Sequence, residues 1–412
     1  MLVLSELKTL TSSQRNAFIA SFLGWTLDAF DFFLMSFTLG AIAKDFQVEV
    51  TEVAFAITLT LACRPVGAFI FGRLADRFGR RPVLMVDILL FAVLEVASAF
   101  APNLMVFLVL RALFGIAMGG VWGVGAALAF ETLPTEGRGG FSGILQEGYA
   151  FGSILASGAF ALLFHSLGWR GLFMLGASPA LLVFYVQARV EESPVWLATD
   201  RKRRADPKRD SYAKKLAALK SFLPTFLFLI VLMTAFMSFS HGTQDVYPTF
   251  LEVQIGLTPQ VVGTIGVIYG FAQIAGGIVF GTLSEKWGRK RAIIAAALLS
   301  LIAIPPWAYG HSATTLAIGA VVMQFMVQGA WGVVPAHLAE LTPAPVRATA
   351  PGLAYQLGGL VTSWNAKAQA LAAEKWGSYS NVLAITVVIV ALSLALLASL
   401  GHEVKGKDMA AD

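Results

Sequence analysis

One ten-residue pattern occurs twice in the sequence. It reads Gly72-Arg-Leu-Ala-Asp-Arg-Phe-Gly-Arg-Arg81 and returns 209 residues later as Gly281-Thr-Leu-Ser-Glu-Lys-Trp-Gly-Arg-Lys290. The same offset relates further pairs without a gap: Gly67 and Gly276, Phe71 and Phe280, Trp122 and Trp331, Glu131 and Glu340, Pro134 and Pro343, and Arg138 and Arg347. One spacing shared by so many positions indicates an internal duplication, so the chain is predicted to consist of two similar halves.

The composition indicates what surrounds these halves. Of the 412 residues, 57% are hydrophobic and 13% are charged, and the mean hydropathy is +0.72. This charge density is about half that of soluble globular domains, which excludes a water-soluble monomer. Apolar stretches of about 20 residues can each cross a bilayer as a helix. We predict twelve spans, at 16–43, 52–72, 82–101, 104–124, 141–165, 170–188, 222–249, 260–282, 292–310, 314–338, 350–372 and 379–400.

Positive charge is concentrated in one loop. Residues 189–221 hold ten of the thirty Lys and Arg residues against five acidic residues, a surplus equal to the net +5 of the chain. We therefore predict a six-helix bundle at 1–188, a basic cytoplasmic linker at 189–221, and a second bundle with a short cytoplasmic tail at 222–412. With a cytoplasmic N-terminus, 24 Lys and Arg residues lie on that side and three on the other. This bias predicts cytoplasmic termini in a plasma or inner membrane, and no nucleic-acid binding.

The repeated pattern resembles the signature after the second helix of the major facilitator superfamily, G-x-L-a-D-r-x-G-r-r. The resemblance covers essentially the whole chain and implies an all-α membrane protein with the major facilitator fold: 12 transmembrane helices in two parallel-repeat six-helix bundles that alternate access to a central site. The charged residues of the pattern can bind helix ends or each other across a seam that opens when the bundles rock. A purely topogenic turn is the alternative. The expected gating residues are Gly72, Asp76, Arg77, Gly79, Arg80, Glu131, Arg138, Gly281, Glu285, Lys286, Arg289, Glu340 and Arg347.

Ionisable residues inside the spans are the best indicators of the substrate, since burying each costs about 2.5–3.5 kcal/mol on insertion scales. Arg64 is the most informative, because the repeat places the neutral Gln273 at the equivalent position. An arginine fork in a dry cavity suits a carboxylate, which it holds by two parallel hydrogen bonds. The alternative is a structural ion pair with Asp28 or Asp31. These two acids share one helical face. They could pair with Arg64, carry protons, or have only a packing role.

The seventh span contains the stretch Ser240-His-Gly-Thr-Gln-Asp-Val-Tyr-Pro-Thr249. His241 and Asp245 are spaced i, i+4, so their side chains can meet on one helical face, and Gly242 and Pro248 favour a bend. Such a pair can take up a proton near neutral pH, because the unperturbed pKa of histidine is about 6.5. The alternative is a buried core histidine whose hydrogen bonds are satisfied and that has no role in transport.

This stretch resembles the signature of the lactate and pyruvate proton symporters of the sialate:proton symporter family, N-x-x-[S/T]-H-x-[S/T]-Q-D-x-x-x-T. Met237 stands in place of the leading Asn. A second family-like stretch, Ala354-Tyr-Gln-Leu-Gly358, is followed by Gly359 where relatives commonly have Asn. The fifth span, with Gly148-Tyr-Ala-Phe-Gly152, lacks the proline-containing glycine motif of antiporters, which favours symport. The resemblance implies that the pathway is lined by Arg64, His241, Asp245 and Gln356.

The expected function is proton-coupled import of a small monocarboxylate of the lactate or pyruvate type. Arg64 and Gln356 are expected to bind the acid, with His241 and Asp245 as further contacts, and the proton to be carried by His241, Asp245, Asp28 and Asp31. A symporter for sialic or aromatic acids and a transport-dead ligand sensor are the alternatives.

An enzyme is not expected, because the sequence has no nucleotide loop, no H-E-x-x-H and no loop that could hold a catalytic domain. With Cys63 as the single cysteine, no metal cluster is expected, and no cofactor besides the co-transported proton. The expected partners are the carboxylate, the proton and the lipid bilayer, and the protein is expected to be monomeric. Four residues have no assigned role: Glu95, Glu147, His337 and Lys367.

Overall fold

The computed structural model describes residues 10–133, 138–205, 212–342 and 350–403. Over these residues the secondary structure is helical. The α-helices are α1 (Ser12–Phe46), α2 (Val50–Phe78), α3 (Arg80–Ala99), α4 (Leu104–Thr132), α5 (Arg138–Leu175), α6 (Pro179–Arg189), α7 (Pro194–Ala205), α8 (Tyr212–Gln244), α9 (Tyr247–Thr249), α10 (Pro259–Trp287), α11 (Arg289–Ser300), α12 (Ile304–Ala308), α13 (Ala313–Trp331), α14 (Val334–Leu341), α15 (Ala350–Thr362), α16 (Asn365–Trp376) and α17 (Tyr379–Leu400). A π-helix at Phe250–Gln254 follows α9, and a 3-10 turn at Leu301–Ala303 precedes α12. Below, α1–α6 are the first half and α8–α17 the second.

Ten helical segments of the described chain are long and apolar enough to cross a membrane. The difference from the twelve predicted spans has two causes. The fifth and sixth spans lie in one segment, Ile144–Arg189, whose helix is broken at Gly168, where φ is 61°. The eleventh span is divided between α15 and α16, and each piece is too short to qualify alone. Every predicted span therefore has a helical counterpart.

The predicted linker contains more helix than the sequence suggested. Its first part forms α7, and α8 already begins at Tyr212, ten residues before the predicted start of the seventh span. The Ser193 hydroxyl caps α7 by accepting a hydrogen bond from the backbone N–H of Trp196 (3.0 Å). The Trp196 indole N–H donates to the carbonyl oxygen of Asp76 (3.0 Å). The linker helix is thus fixed to the end of α2.

The duplication is visible in the helix packing. Gly67 of α2 lies against the backbone of α4, where a Cβ would collide with the carbonyl oxygen of Ile116. Its repeat counterpart Gly276, in α10, lies in the same way against the carbonyl oxygen of Phe325 in α13. Ile116 and Phe325 are themselves 209 residues apart. Small residues allow such close approach of helices in membranes, and both halves use the same contact.

Replacing Gly67 or Gly276 by alanine is expected to destabilise the protein. The added methyl group has no space, and overpacking of this kind costs about 1–3 kcal/mol. Gly72→Ala is the matched control, because a Cβ there would meet nothing within 4 Å. Thermal unfolding in detergent measures the difference, and an equal loss of stability in all three variants would refute the packing argument.

Candidate functional site

A narrow cavity lies between the two halves. The first half lines it with Phe32 of α1, Arg64 of α2, and Gln146 and Tyr149 of α5. The second half contributes Met237, Ser240 and His241 of α8, Gln328 and Trp331 of α13, and Tyr355 of α15. The walls thus combine a guanidinium, an imidazole and neutral hydrogen-bonding groups with several aromatic rings. Because both halves contribute, a movement of one half against the other changes the site.

Arg64 lies in the cavity wall with open hydrogen-bond donors. Its side chain is only 5% exposed, and its Nη2 lies 3.7 Å from Oδ2 of the fully buried Asp28. Neither Nε nor Nη2 of Arg64 has a hydrogen-bond partner among the described residues, and the same holds for both carboxylate oxygens of Asp28. The guanidinium also lies over the ring of Trp25, 5.9 Å from its centre. This ion pair is loose, and the free donors of Arg64 are suited to an anionic ligand.

His241 and Asp245 form the pair that their spacing predicted. The imidazole Nδ1 lies 3.1 Å from each carboxylate oxygen of Asp245. The helical register reaches Asp245, whose backbone N–H donates to the carbonyl oxygen of His241 (3.1 Å), although α8 ends at Gln244. With Asp245 ionised, the carboxylate only accepts, so in that state Nδ1 is the donor of this bond and Nε2 is free to take a proton. His241 lines the cavity, and Asp245 is buried behind it.

The other predicted ligand and proton carriers lie away from the cavity wall. Gln356 is buried, but its neighbour Tyr355 provides the lining. Asp31 lies beside Glu95, since a Cβ on Gly176 would touch both side chains. Glu95 in turn accepts a 2.6 Å hydrogen bond from Arg111. The two acids of α1 are therefore divided between two buried arginine sites.

Several residues of the site escaped the sequence analysis. Asp87 also escaped it, but lies outside the cavity lining: it is fully buried beside Gly120, and neither of its carboxylate oxygens has a hydrogen-bond partner among the described residues. Gln328 had a detectable signal, because the repeat places Gly119 at the equivalent position and a polar side chain replaces it. Tyr149 and Phe32 had no such signal, because the sequence of an apolar helix does not show which of its aromatic residues face a cavity.

The repeated tryptophans both contact Tyr355, a residue of the cavity wall. Trp122 of the first half stacks on Tyr355 with ring centres 5.4 Å apart and planes 7° apart. Trp331 of the second half contacts the same ring edge-on, at 5.9 Å. The pair that marked the duplication therefore encloses Tyr355 from both halves.

The predicted gating residues form two matching ion-pair networks. Arg80 donates to Asp76 (2.6 Å) and Glu131 (3.0 Å). Arg289 donates to Glu285 (2.7 Å) and Glu340 (3.0 Å). Each of these four contacts lies within one half, so the expected bond across the seam is not among them. The networks tie together three helices of the same half.

Beside each network, a glycine of the repeated pattern leaves space for a carboxylate that caps the next helix. Gly79 and Gly288 have φ values of 110° and 95°, which L side chains rarely adopt. Beside them, Glu192 accepts hydrogen bonds from the backbone N–H groups that open α3, and Glu403 does so at α11. This places a carboxylate at each positive helix end. Of the remaining gating candidates, Arg77 and Lys286 are exposed. Gly72 and Gly281 lie one helical turn before Asp76 and Glu285, respectively. Arg347 and the side chain of Arg138 lie outside the described residues.

Comparisons with known proteins agree with this architecture. The family model described as Major Facilitator Superfamily matches residues 21–245 and 245–408. Sialic acid transporter NanX of Escherichia coli (strain K12) is 28% identical over 97% of this chain and 96% of its own length. The carboxylic acid transporter protein homolog of Saccharomyces cerevisiae is 27% identical over 98% of this chain and 70% of its own length.

A solved structure has the same fold. The xylose transporter XylE from E. coli, in its partially occluded inward open conformation, matches with a TM-score of 0.77 at 19% identity, over 96% of this chain and 100% of XylE. The matched relatives are transporters, which is in line with transport rather than catalysis. The two duplicated halves, the cavity between them and the match over nearly the full length establish that this chain belongs to the Major Facilitator Superfamily.

Proposed function

We propose that the protein imports a small monocarboxylate together with a proton, by alternating access between its two halves. The observation that carries this proposal is the open guanidinium of Arg64 in a cavity that both halves line. A carboxylate can use both free donors at once, and movement of the halves then exposes it to one side at a time. His241, in the opposite wall, supplies the proton site, with Asp245 behind it.

The resemblance of the stretch around His241 favours lactate or pyruvate as the carboxylate. A second candidate is a planar or aromatic acid, because the rings of Phe32, Tyr149, Trp331 and Tyr355 line the cavity. A Cβ on Gly359 would lie 3.5 Å from Cε of Met237. The two positions at which the resemblance expects an amide thus lie next to each other, and Met237 lines the cavity. Within this proposal their lack of an amide favours pyruvate or an aromatic acid over the hydroxy acid lactate.

Further parts of the proposal concern the proton and the membrane. Asp28 lies beside Arg64 and is the nearest additional proton carrier, and Asp31 is the next along α1. We place the protein in the plasma or inner membrane with both termini in the cytoplasm, on the strength of the charge bias across the spans. We propose a monomer because one chain supplies both walls of the cavity.

Uptake into liposomes tests the proposal. With an acidic exterior, the purified protein should accumulate labelled L-lactate, pyruvate or benzoate and acidify an internal pH-sensitive dye. Accumulation of benzoate in preference to lactate would select the planar acid. Binding of these acids without accumulation would contradict symport and favour the ligand sensor.

A further inference from the structure

Glu147 is a buried carboxyl group at the seam between the halves, where α5 of the first half meets α10 and α13 of the second. The residue is 9% exposed, and its Oε1 lies 2.5 Å from the position that a Cβ on Gly277 would occupy. The side chain of Gln328 faces the carboxyl group, with its Cγ 3.6 Å from the same position. Oε2 of Glu147 and Nε2 of Gln328 both lack a hydrogen-bond partner among the described residues. The missing side chain of Gly277 provides the space that the carboxyl group fills.

The charged groups around Glu147 have their described contacts elsewhere. Its helix α5 packs against α1 and α3 of its own half and against α10 and α14 of the other. The helix α13, which carries Gln328, has no ionisable residue. The ionisable residues of the other helices lie as follows: Arg15 exposed near the start of α1, Asp28 at Arg64, Asp31 beside Glu95, Glu95 at Arg111, Lys44 exposed at the end of α1, Asp45 at Arg170, Arg80 at Asp76 and Glu131, Arg81 at the carbonyl oxygen of Gln187, Asp87 beside Gly120, Tyr269 at Ser153, Lys286 exposed at the end of α10, Glu285 and Glu340 at Arg289, and His337 near Glu403. Gln328 is a neutral neighbour whose amide can hydrogen-bond to the carboxyl group, and a cation that would neutralise an ionised Glu147 is not among the described contacts.

Because Glu147 is buried without a neutralising cation in the described part of the chain, its ionised form is higher in free energy than its protonated form. An ionised carboxylate that loses its water and gains no cation costs several kcal/mol, whereas a protonated one costs much less. A seam closed around Glu147 thus favours the protonated form, and a seam that admits water favours the ionised form. Glu147 lies nine residues after the start of α5 and Gly277 ten residues before the end of α10, both toward the linker end of the protein.

We propose that Glu147 is a proton-binding site that holds the seam closed when protonated and releases its proton to water when the seam opens at the linker end. Gln328 connects this site to the cavity, because it faces Glu147 and also lines the cavity. The site is separate from the pair of His241 and Asp245. The inference rests on the proposed function only for the direction in which the proton travels.

Distances between spin labels at the linker end test this proposal without any transport. Arg73 and Thr282 are repeat counterparts, both exposed, on α2 and α10, and cysteines there can be labelled after Cys63→Ser. His241→Ala removes the proton site of the cavity, and Asp28→Asn with Asp31→Asn removes the additional carriers proposed on α1. In that background, raising the pH from about 5 to about 8 is expected to lengthen the distance, because the carboxyl group then ionises and favours the open seam. Glu147→Gln, which imitates the protonated form, should keep the short distance at both pH values.

The control is Glu52→Gln, the same change at an exposed position, which should keep the shift. Three results would overturn the proposal: a shift that survives in Glu147→Gln, a long distance at both pH values in that variant, or no shift once His241, Asp28 and Asp31 are replaced.

Exchange of labelled carboxylate at equal pH on both sides separates a proton site from a structural one. Exchange needs no net proton movement, so Glu147→Gln should retain it while proton-driven accumulation falls about tenfold or more, given several kcal/mol for the buried charge. Loss of both activities would assign Glu147 a structural role and refute the proposal. If the wild type transports none of the tested acids, the proposed function fails, and the spin-label distances alone decide on Glu147.

Discussion

Arg64→Ala is expected to abolish carboxylate binding and uptake. The substitution removes the guanidinium of the cavity wall, whose Nε and Nη2 have no other hydrogen-bond partner among the described residues. Removing one partner of a buried, hydrogen-bonded charge pair costs about 2–5 kcal/mol, so affinity should fall on the order of 100-fold. Carboxylate binding to the detergent-purified protein, followed by tryptophan fluorescence, measures the loss directly.

Two further variants separate carboxylate recognition from charge and from folding. Arg64→Lys keeps the charge but loses the two-pronged geometry, so it should bind more weakly than the wild type and more tightly than Arg64→Ala. Arg170→Ala is the control, because Arg170 also pairs with an aspartate, Asp45 (2.9 Å), but lies outside the cavity lining. Unchanged carboxylate affinity in Arg64→Ala would mean that the arginine serves only its ion pair with Asp28.

The sequence was sufficient for the architecture because duplication and hydropathy are properties of the chain itself. The 209-residue offset links Gly67 to Gly276, and the structure places both at the same helix contact. The helical i, i+4 spacing likewise brought His241 and Asp245 together, because it depends only on local geometry. Predictions of this kind need no knowledge of how distant helices meet.

Which side of a helix faces the cavity depends on tertiary packing, and there the sequence was less informative. Gln356 and Tyr355 are adjacent, yet the cavity is lined by the tyrosine. Asp28 and Asp31 share a helical face, but the surrounding helices place one beside Arg64 and the other beside Glu95. The expected latch across the seam also depends on packing between the halves. The described ion pairs of Arg80 and Arg289 lie within their own halves, and the latch itself stays a prediction, because Arg347 and the side chain of Arg138 lie outside the described residues.

Replacing either member of the pair His241 and Asp245 is expected to uncouple transport from the proton gradient. In the wild type, uptake should rise as the external pH falls, because a proton on Nε2 makes the imidazole cationic. Asp245, with both oxygens 3.1 Å from Nδ1, stabilises that cation and orients the ring. His241→Ala removes the proton acceptor. Asp245→Asn removes the charge that stabilises the protonated ring.

Both variants should therefore show uptake that no longer depends on external pH and no accumulation of the acid against its gradient, measured in liposomes with an internal pH dye. Carboxylate binding is expected to persist, since Arg64 lies in the opposite half and remains intact. His165→Ala, at an exposed position on α5, is the control and should behave like the wild type. Because coupling requires the proton and the acid to share one cavity, uptake with unchanged pH dependence in both His241→Ala and Asp245→Asn would remove the pair from the mechanism.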